Sequence, residues 1–582
     1  MPEHRSEIRD GMRIDWDVPI PMSDGLSMRA DVYRPIADGR YPAILGYGPY
    51  SKWLHFGDGY ADQWRRLIAE HPDVSAGTTN RYQAFEFCDP EKFVPDGYAL
   101  VRVDSRGTGR SPGFLDPLSV RETQDLYASI EWTGVQPWCT GKVGLSGISY
   151  LAMNQWQVAA LQPPHLAALC IWEGCADYYR EFVRHGGIMC TFGKSWFAPF
   201  VLPVQHGLGT RGYRSSMTGD WVSGPETLSE EELGSSRYDW FEESMRHRLA
   251  TDEFWTSRRP DFSKITVPLL SSGNWGGQGL HLRGNIEAFL ESASGDKWLE
   301  LHGLEHWTEY YTDYGVSLQK RFFGHVLKGE DTGWSKQPRV QMLVRYPGGR
   351  LVPRDEHEWP LARTRWTRFY LDPADATLRA KPLERDATLT YRGLSAGVTF
   401  LTPPLTEETE ITGPIAAKLF VSSSTEDADL FVVVRVFAPD LAEVTFQGHT
   451  DPHTTIAQGW LRASHRKLDP RRSLEYRPYH THDEIQDLRR GEVYELDIEV
   501  WPTCIVVPAG HRLAVTVRGQ DYAYPGGPGG PGVRQLGQFT GVGPFRHTDP
   551  RDRPERVFNG EVTLHCGPRR PSYVLLPIIP PR

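Results

Sequence analysis

A chain of 582 residues is too long for one ordinary core, so two or three domains are expected; its 39% hydrophobic and 24% charged residues are globular values. A net charge of −10 argues against a nucleic acid or an anionic membrane as partner, and no run of 18 apolar residues predicts a membrane span. The charged N-terminus (MPEHRSEIRD) predicts no secretory signal, and seven cysteines (88, 139, 170, 175, 190, 504, 566) without C-x-x-C pairs predict free thiols in a cytoplasmic protein rather than a zinc site.

In chain order, Arg13 to Pro35 alternates polar and apolar residues around a turn at Gly25 and predicts an antiparallel pair. Ala43 to Leu45 predicts a short buried strand that ends in the turn Gly46-Tyr-Gly-Pro-Tyr50. Residues 51–95 form an aromatic-rich, charged insertion, read as a lid or rim or as a plain surface excursion. Gly97 to Asp104 predicts a second buried strand. The glycine-rich loop Ser105 to Gly113 that follows lacks G-x-x-x-x-G-K-[ST] and so is not a nucleotide site. Arg121 to Thr133 predicts a helix, Val143 to Leu145 the end of a strand, Met153 to Ala160 a helix and Leu166 to Trp172 a strand that ends in Glu173. This alternation gives a parallel sheet.

Residues 176–261 lack strand runs and predict an inserted helical cap, with a helix over Asp177 to His185 and a capping box at Ser229 and Glu232. The sheet is expected to resume at Ile265 to Ser272 and Lys297 to His302, and a helix over Ser317 to Leu327 closes the domain. Beyond residue 348, β-rich runs (366–371, 416–421, 430–437, 493–500, 512–517) separated by turn residues predict a β-sandwich or jelly roll. Tyr524 to Gly532 is a Gly/Pro loop too poor in side chains to pack. The expected division is therefore an α/β core over 1–175 and 262–348, the cap over 176–261, and the β domain over 349–582.

The chemistry centres on Lys142-Val-Gly-Leu-Ser-Gly-Ile-Ser149-Tyr-Leu-Ala152, a sharp strand-to-helix turn of the nucleophile-elbow kind. Ser146 and Ser149 each have a glycine two positions earlier. Ser149 is preferred because it directly precedes the helix, whose free N–H groups stabilise nearby negative charge. Leu151 stands where the second glycine of G-x-S-x-G would be. His306, in the loop Gly303-Leu-Glu-His-Trp307 after a late strand, stands where the histidine of such a sheet belongs.

Together, Gly48-Pro-Tyr50-Ser-Lys52, Asp104-Ser-Arg-Gly-Thr-Gly109, Gln136-Pro-Trp138, Gly141-Lys-Val-Gly144, Gly147-Ile-Ser-Tyr-Leu151 and Leu575-Leu-Pro-Ile-Ile579 resemble the α/β-hydrolase family that contains cocaine esterase, X-prolyl dipeptidyl peptidase and α-amino acid ester hydrolase. The resemblance runs from about residue 20 to the end of the chain. It implies an α/β-hydrolase core with a helical cap and a C-terminal jelly roll, hydrolysing a small ester or amide without cofactor or metal. It also implies Ser149 as nucleophile, His306 as base and Tyr50 as an oxyanion-hole donor, and the Tyr150 backbone N–H is expected to serve beside Tyr50. A homo-oligomer remains open.

The family's acid usually lies in a Gly-Trp-Tyr-Asp-Gly-like turn, which here reads Ser272-Gly-Asn-Trp-Gly276-Gly277, so Gly276 stands in place of the acid. Glu173 is the preferred substitute, because it ends the strand after the nucleophile's helix and keeps the order Ser–acid–His. Glu305, Glu309 and Asp313 are the alternatives. Three functions compete: a serine esterase or amidase, a ligand-binding relative with a degraded triad, and a sugar-binding protein that uses its jelly roll.

Overall fold

The chain's apolar runs fall where a parallel sheet needs them. In the computed structural model, which describes residues 5–526 and 540–581, ten strands join in the N-terminal part: β1 Arg5–Arg9, β2 Met12–Pro21, β3 Ser27–Pro35, β4 Tyr41–Gly48, β5 Ala99–Asp104, β6 Cys139–Ile148, β7 Leu166–Trp172, β8 Leu269–Asn274, β9 Lys297–His302 and β10 Val340–Tyr346. Their spatial order is β1-β2-β3-β5-β4-β6-β7-β8-β9-β10, with β1 to β3 antiparallel and the run from β5 to β10 parallel. Parallel strands are covered on both faces, which is why Leu145, Leu169 and Ile171 are almost wholly buried.

Helix α1, Val120–Gly134, and α2, Tyr150–Ala160, pack against this sheet; every residue of α2 is buried, as its run without a polar face requires. The helix α3, Leu282–Glu291, follows β8, and α4, Asp313–Phe323, follows β9. The order of strands places the residues after β6, β7, β8 and β9 side by side on the carboxyl edge of the sheet, where open α/β sheets bind ligands.

Several expectations shift. The helix expected from Met153 starts at Tyr150, because the elbow turn itself supplies its first residues. The strand expected from Ile265 starts only at Leu269, after Pro268, which has no N–H to give a ladder. No regular helix spans Asp177 to His185: Tyr179–Val183 makes a single wide turn and then a two-residue hairpin, Arg184–His185 with Ile188–Met189, turns at Gly186 and Gly187. The rest of 176–261 consists of short helical pieces, and Ser229 and Glu232 do form a capping box.

Beyond residue 348 the described residues are mostly antiparallel strands. Thr409–Ser423 pairs with Tyr494–Val507 and with Tyr573–Ile579, and Asp429–Phe437 pairs with Arg512–Arg518, around Leu419, Val432, Ile498, Val515 and Leu564. Most of the expected Gly/Pro loop, residues 527–532, lies outside the described residues. All seven cysteines are free and buried, and among the described residues no helix is long and apolar enough to cross a membrane.

Candidate active site

Ser149 sits between β6 and α2 with φ 53° and ψ −115°, a strained conformation for a residue with a side chain. Two neighbours make the turn possible. A Cβ on Gly147 would lie 2.4 Å from Leu151 Cβ, so only glycine lets the helix fold back this closely. Leu151, in place of the usual second glycine, finds room because Gly48 on β4 has no side chain; a Cβ there would meet Leu151 Cδ1 at 2.4 Å. Ser149 N–H bonds to Trp172 O (3.0 Å), which ties the elbow to the end of β7. Tyr150, the first residue of α2, has one of the N–H groups that a helix leaves without an internal acceptor. Ser146, by contrast, is fully buried and contacts Tyr310 Oη (3.0 Å), Gln319 Oε1 (3.1 Å) and Cys88 Sγ (3.6 Å), with no histidine among these partners.

Glu173, the residue after β7, also has a left-handed backbone (φ 48°). Its Oε2 accepts from His306 Nδ1–H at 2.7 Å, and its Oε1 accepts from Asn274 Nδ2 (3.2 Å) and lies 3.4 Å from His302 Nε2. The other three carboxylates weighed from the sequence point elsewhere. Glu305 pairs with Arg66, Glu309 accepts from Thr312 Oγ1 (3.4 Å), and Asp313 is exposed at the start of α4. Burial works to raise the Glu173 pKa, but His306 and His302 outweigh it and hold the carboxyl well below the usual range. Tyr50 is buried beside Ser149. Trp196 Nε1–H, from the 176–261 segment, donates to the Tyr50 oxygen (3.0 Å). The Tyr50 turn is clamped from below: Lys52 N–H bonds to Asp104 Oδ1 (2.6 Å) and Lys52 Nζ reaches Asp17 and Asp31 (3.1 Å each).

Two family models match most of the chain: the X-Pro dipeptidyl-peptidase (S15 family) model over residues 24–308 and the X-Pro dipeptidyl-peptidase C-terminal non-catalytic domain over 332–575. A solved CocE/NonD family hydrolase from Staphylococcus aureus is 30% identical, covers 98% of this chain and 94% of its own, and superposes with a TM-score of 0.82. The chain belongs to this family of hydrolases. Cocaine esterase from Rhodococcus sp. (strain MB1 Bresler) is 26% identical over 97% of this chain and 98% of its own length. An α-amino acid ester hydrolase structure, 15% identical with a TM-score of 0.63, covers 98% of both chains and shares the fold. The family comprises serine esterases and X-Pro dipeptidyl peptidases, and this chain is a hydrolase of ester or amide bonds.

The structure accounts for the glycine at 276. A Cβ there would lie 2.5 Å from Gly448 Cα and 2.8 Å from Gln447 O, so the backbone of the C-terminal domain occupies the space an acidic side chain would need. The same loop delivers His449. Its N–H bonds to Gly276 O and its carbonyl accepts from His306 N–H (2.9 Å each), and its ring stacks on His306 at 3.7 Å between centroids. Neither His449 ring nitrogen has a hydrogen-bond partner among the described residues. Burial and the charge of His306 push the His449 pKa well down, so it is neutral.

Sequence reasoning also missed Glu86 and His281. Glu86, from the 51–95 insertion, has φ 63° and places Oε1 3.4 Å from His306 Nε2, so His306 lies between two carboxylates. Burial pushes Glu86 up to about 7 against the pull of His306. For His306 burial works downward, and Glu173 and Glu86 overcome it to raise the pKa to about 9. His281 Nε2 lies 3.2 Å from Ser149 Oγ. Glu86 and His449 had no sequence signal, because each is brought in by a long-range contact. His281 had none either, since the Cys175 contact that sets its tautomer spans 106 residues.

One ring nitrogen from each of His281, His306 and His449 lies within 4.8 Å of the others, a spacing that could hold a metal ion. The tautomer of His281 opposes this. Its Nδ1 accepts from Cys175 N–H (3.1 Å), so Nε2 carries the proton and has no lone pair to offer.

Two outcomes follow. Gly276→Asp should lower stability by about 1–3 kcal/mol by overpacking, and should lower activity rather than raise it; thermal melts and ester turnover check both. A base must be neutral, so with His306 in that role kcat/KM is expected to rise with pH through the His306 pKa. Glu86→Gln removes an anion that favours the imidazolium. The rising limb should therefore move to lower pH by about one unit, and a limb that stays or moves up contradicts the assignment.

Proposed function

We propose that the chain cleaves an ester or amide of a small molecule or short peptide through an acyl-enzyme on Ser149, with His306 as base, Glu173 as acid, and Tyr50 with the Tyr150 N–H as oxyanion donors. The observation that carries this reading is the 2.7 Å bond from His306 Nδ1–H to Glu173, on the sheet edge where Ser149 is held in its strained turn.

Ser149 Oγ is a weak nucleophile at its own pKa and needs a base to take its proton. Glu173 fixes His306 in the tautomer with the proton on Nδ1, and stabilises the imidazolium formed when Nε2 takes a second proton from Oγ. In the resting site Nε2 faces Glu86, and substrate must bring it to Oγ; such bonds commonly tighten only once substrate is bound. As Oγ attacks, charge moves to the carbonyl oxygen, where the Tyr50 O–H and the Tyr150 N–H can each supply roughly 3–4 kcal/mol. Trp196 already occupies the Tyr50 oxygen as a donor, so the Tyr50 proton is free to point at Ser149 or the bound carbonyl. Tyr60, Phe85, Phe200 and Trp307 stack near this edge, which supports an apolar substrate group. The degraded-triad reading had Gly276 in its favour, and Glu173 on His306 Nδ1 supports the hydrolase reading instead.

Around this site we propose the division into core (1–175 and 262–348), cap (176–261) and C-terminal domain (349–582), the last a jelly roll; its antiparallel strands around one apolar core support the reading. A cytoplasmic setting is supported by seven free, buried thiols.

Glu173→Gln keeps the shape and removes the charge, so kcat for a p-nitrophenyl ester should fall about 10⁴-fold with little change in melting temperature. Full activity in that variant contradicts the assignment. Tyr50→Phe should lower kcat about 100-fold and leave KM nearly unchanged, whereas a KM effect alone would make Tyr50 a substrate contact.

A further inference from the structure

The hydrogen bonds around Ser149 Oγ include one that the triad does not use. His281 stands at the start of α3 and is wholly buried. The Cys175 backbone N–H can only donate, so His281 Nδ1 accepts (3.1 Å). In a neutral imidazole the proton then sits on Nε2, and that nitrogen is 3.2 Å from Ser149 Oγ. His281 therefore donates to the serine and cannot be its base. Burial, helped by the charge of His306, keeps it neutral by pushing its pKa well below 6.5.

Trp196 N–H donates to the Tyr50 oxygen (3.0 Å), which leaves the Tyr50 O–H free to donate to the substrate carbonyl. A serine oxygen accepts twice and donates once. His281 takes one of the two acceptor positions, and the serine's own O–H stays available for His306.

We propose that His281 is a further catalytic residue whose Nε2–H stays on Ser149 Oγ throughout the reaction and stabilises the oxygen whenever it carries negative charge. The proposal rests on the Ser149 hydrolase reading. In acylation the Oγ proton passes to His306 Nε2, the Oγ–carbon bond forms and the carbonyl electron pair moves to oxygen; the pair then returns, the carbon–leaving-group bond breaks, and His306 gives its proton to the leaving group. In deacylation His306 takes a proton from water as the water oxygen bonds to the acyl carbon; the Oγ–carbon bond then breaks, its electron pair returns to Oγ, and His306 gives the proton to Oγ. His281 keeps its own proton in both steps. While Tyr50 serves the substrate carbonyl, His281 is the donor on Oγ.

The test compares His281→Leu, which removes the donor, with His281→Gln, which keeps an N–H donor, on a p-nitrophenyl ester. His281→Leu should lower kcat roughly 10- to 100-fold, the usual effect of one hydrogen bond to a charged group, with KM and melting temperature close to wild type. His281→Gln should recover much of that loss. The rising limb of the kcat/KM pH profile should stay where it is in His281→Gln, because the titrating base is His306. Wild-type kcat in His281→Leu overturns the proposal. So does a displaced limb in His281→Gln, which would make His281 the base, or an equal loss in both variants, which would make its role purely structural. A wild-type protein without esterase turnover overturns the hydrolase reading itself, and this proposal with it.

Discussion

The site depends on one steric fact: the backbone of Gln447 and Gly448 fills the place beside residue 276. A side chain there would come within 2.5 Å of Gly448 Cα, so the turn after β8 must be glycine, and no carboxylate can reach His306 from it. The acid has to come from a neighbouring strand end. On the reading proposed above, Glu173 meets that need from β7, one strand closer to the nucleophile, and its carboxylate accepts from His306 Nδ1–H at 2.7 Å. Asn274, in the anomalous turn, takes on a second task by holding Glu173 Oε1 (3.2 Å). The C-terminal domain thus helps to shape the site, although the matching family model calls that domain non-catalytic.

Strain gathers at the same edge. Ser149, Glu173 and Glu86 all have left-handed backbones, at φ 53°, 48° and 63°. Each such residue costs on the order of 1–3 kcal/mol and persists only where its surroundings over-determine it. Here the surroundings are backbone bonds between strand ends: Ser149 N–H to Trp172 O, Glu173 N–H to Ser272 O (2.7 Å) and Ile148 N–H to Glu86 O (3.1 Å). These bonds fix the three side chains relative to one another before any substrate arrives. His306 then lies between two carboxylates, which raise its pKa to about 9, and on the proposed reading this gives Glu86 leverage over the pH at which the base is free.

What could be read from the sequence were features carried by short-range patterns. The alternation of apolar strands and helices, the elbow, the histidine loop and the capping box at Ser229 all rest on residues close in sequence. Glu173 could be named because a carboxylate directly after a buried apolar run must emerge at the sheet's edge. Glu86, His449 and Trp196 could not, since each is carried to the site by a segment whose path is decided by distant packing. His281 was hidden for another reason: among twenty histidines, only the Cys175 N–H on its Nδ1 distinguishes it, and that contact spans 106 residues. The failed helix at Asp177 to His185 shows the reverse error, because its helix-like pattern yields to the paired glycines at 186 and 187.

The central claim is that chemistry begins at Ser149 and not at the serine three residues earlier. Incubation with a fluorophosphonate, followed by proteolysis and mass mapping of the elbow peptide, decides it. The account predicts one phosphonyl adduct per chain, located on Ser149 and lost in Ser149→Ala. An adduct on Ser146, or none on a folded protein that still turns over ester, would contradict it.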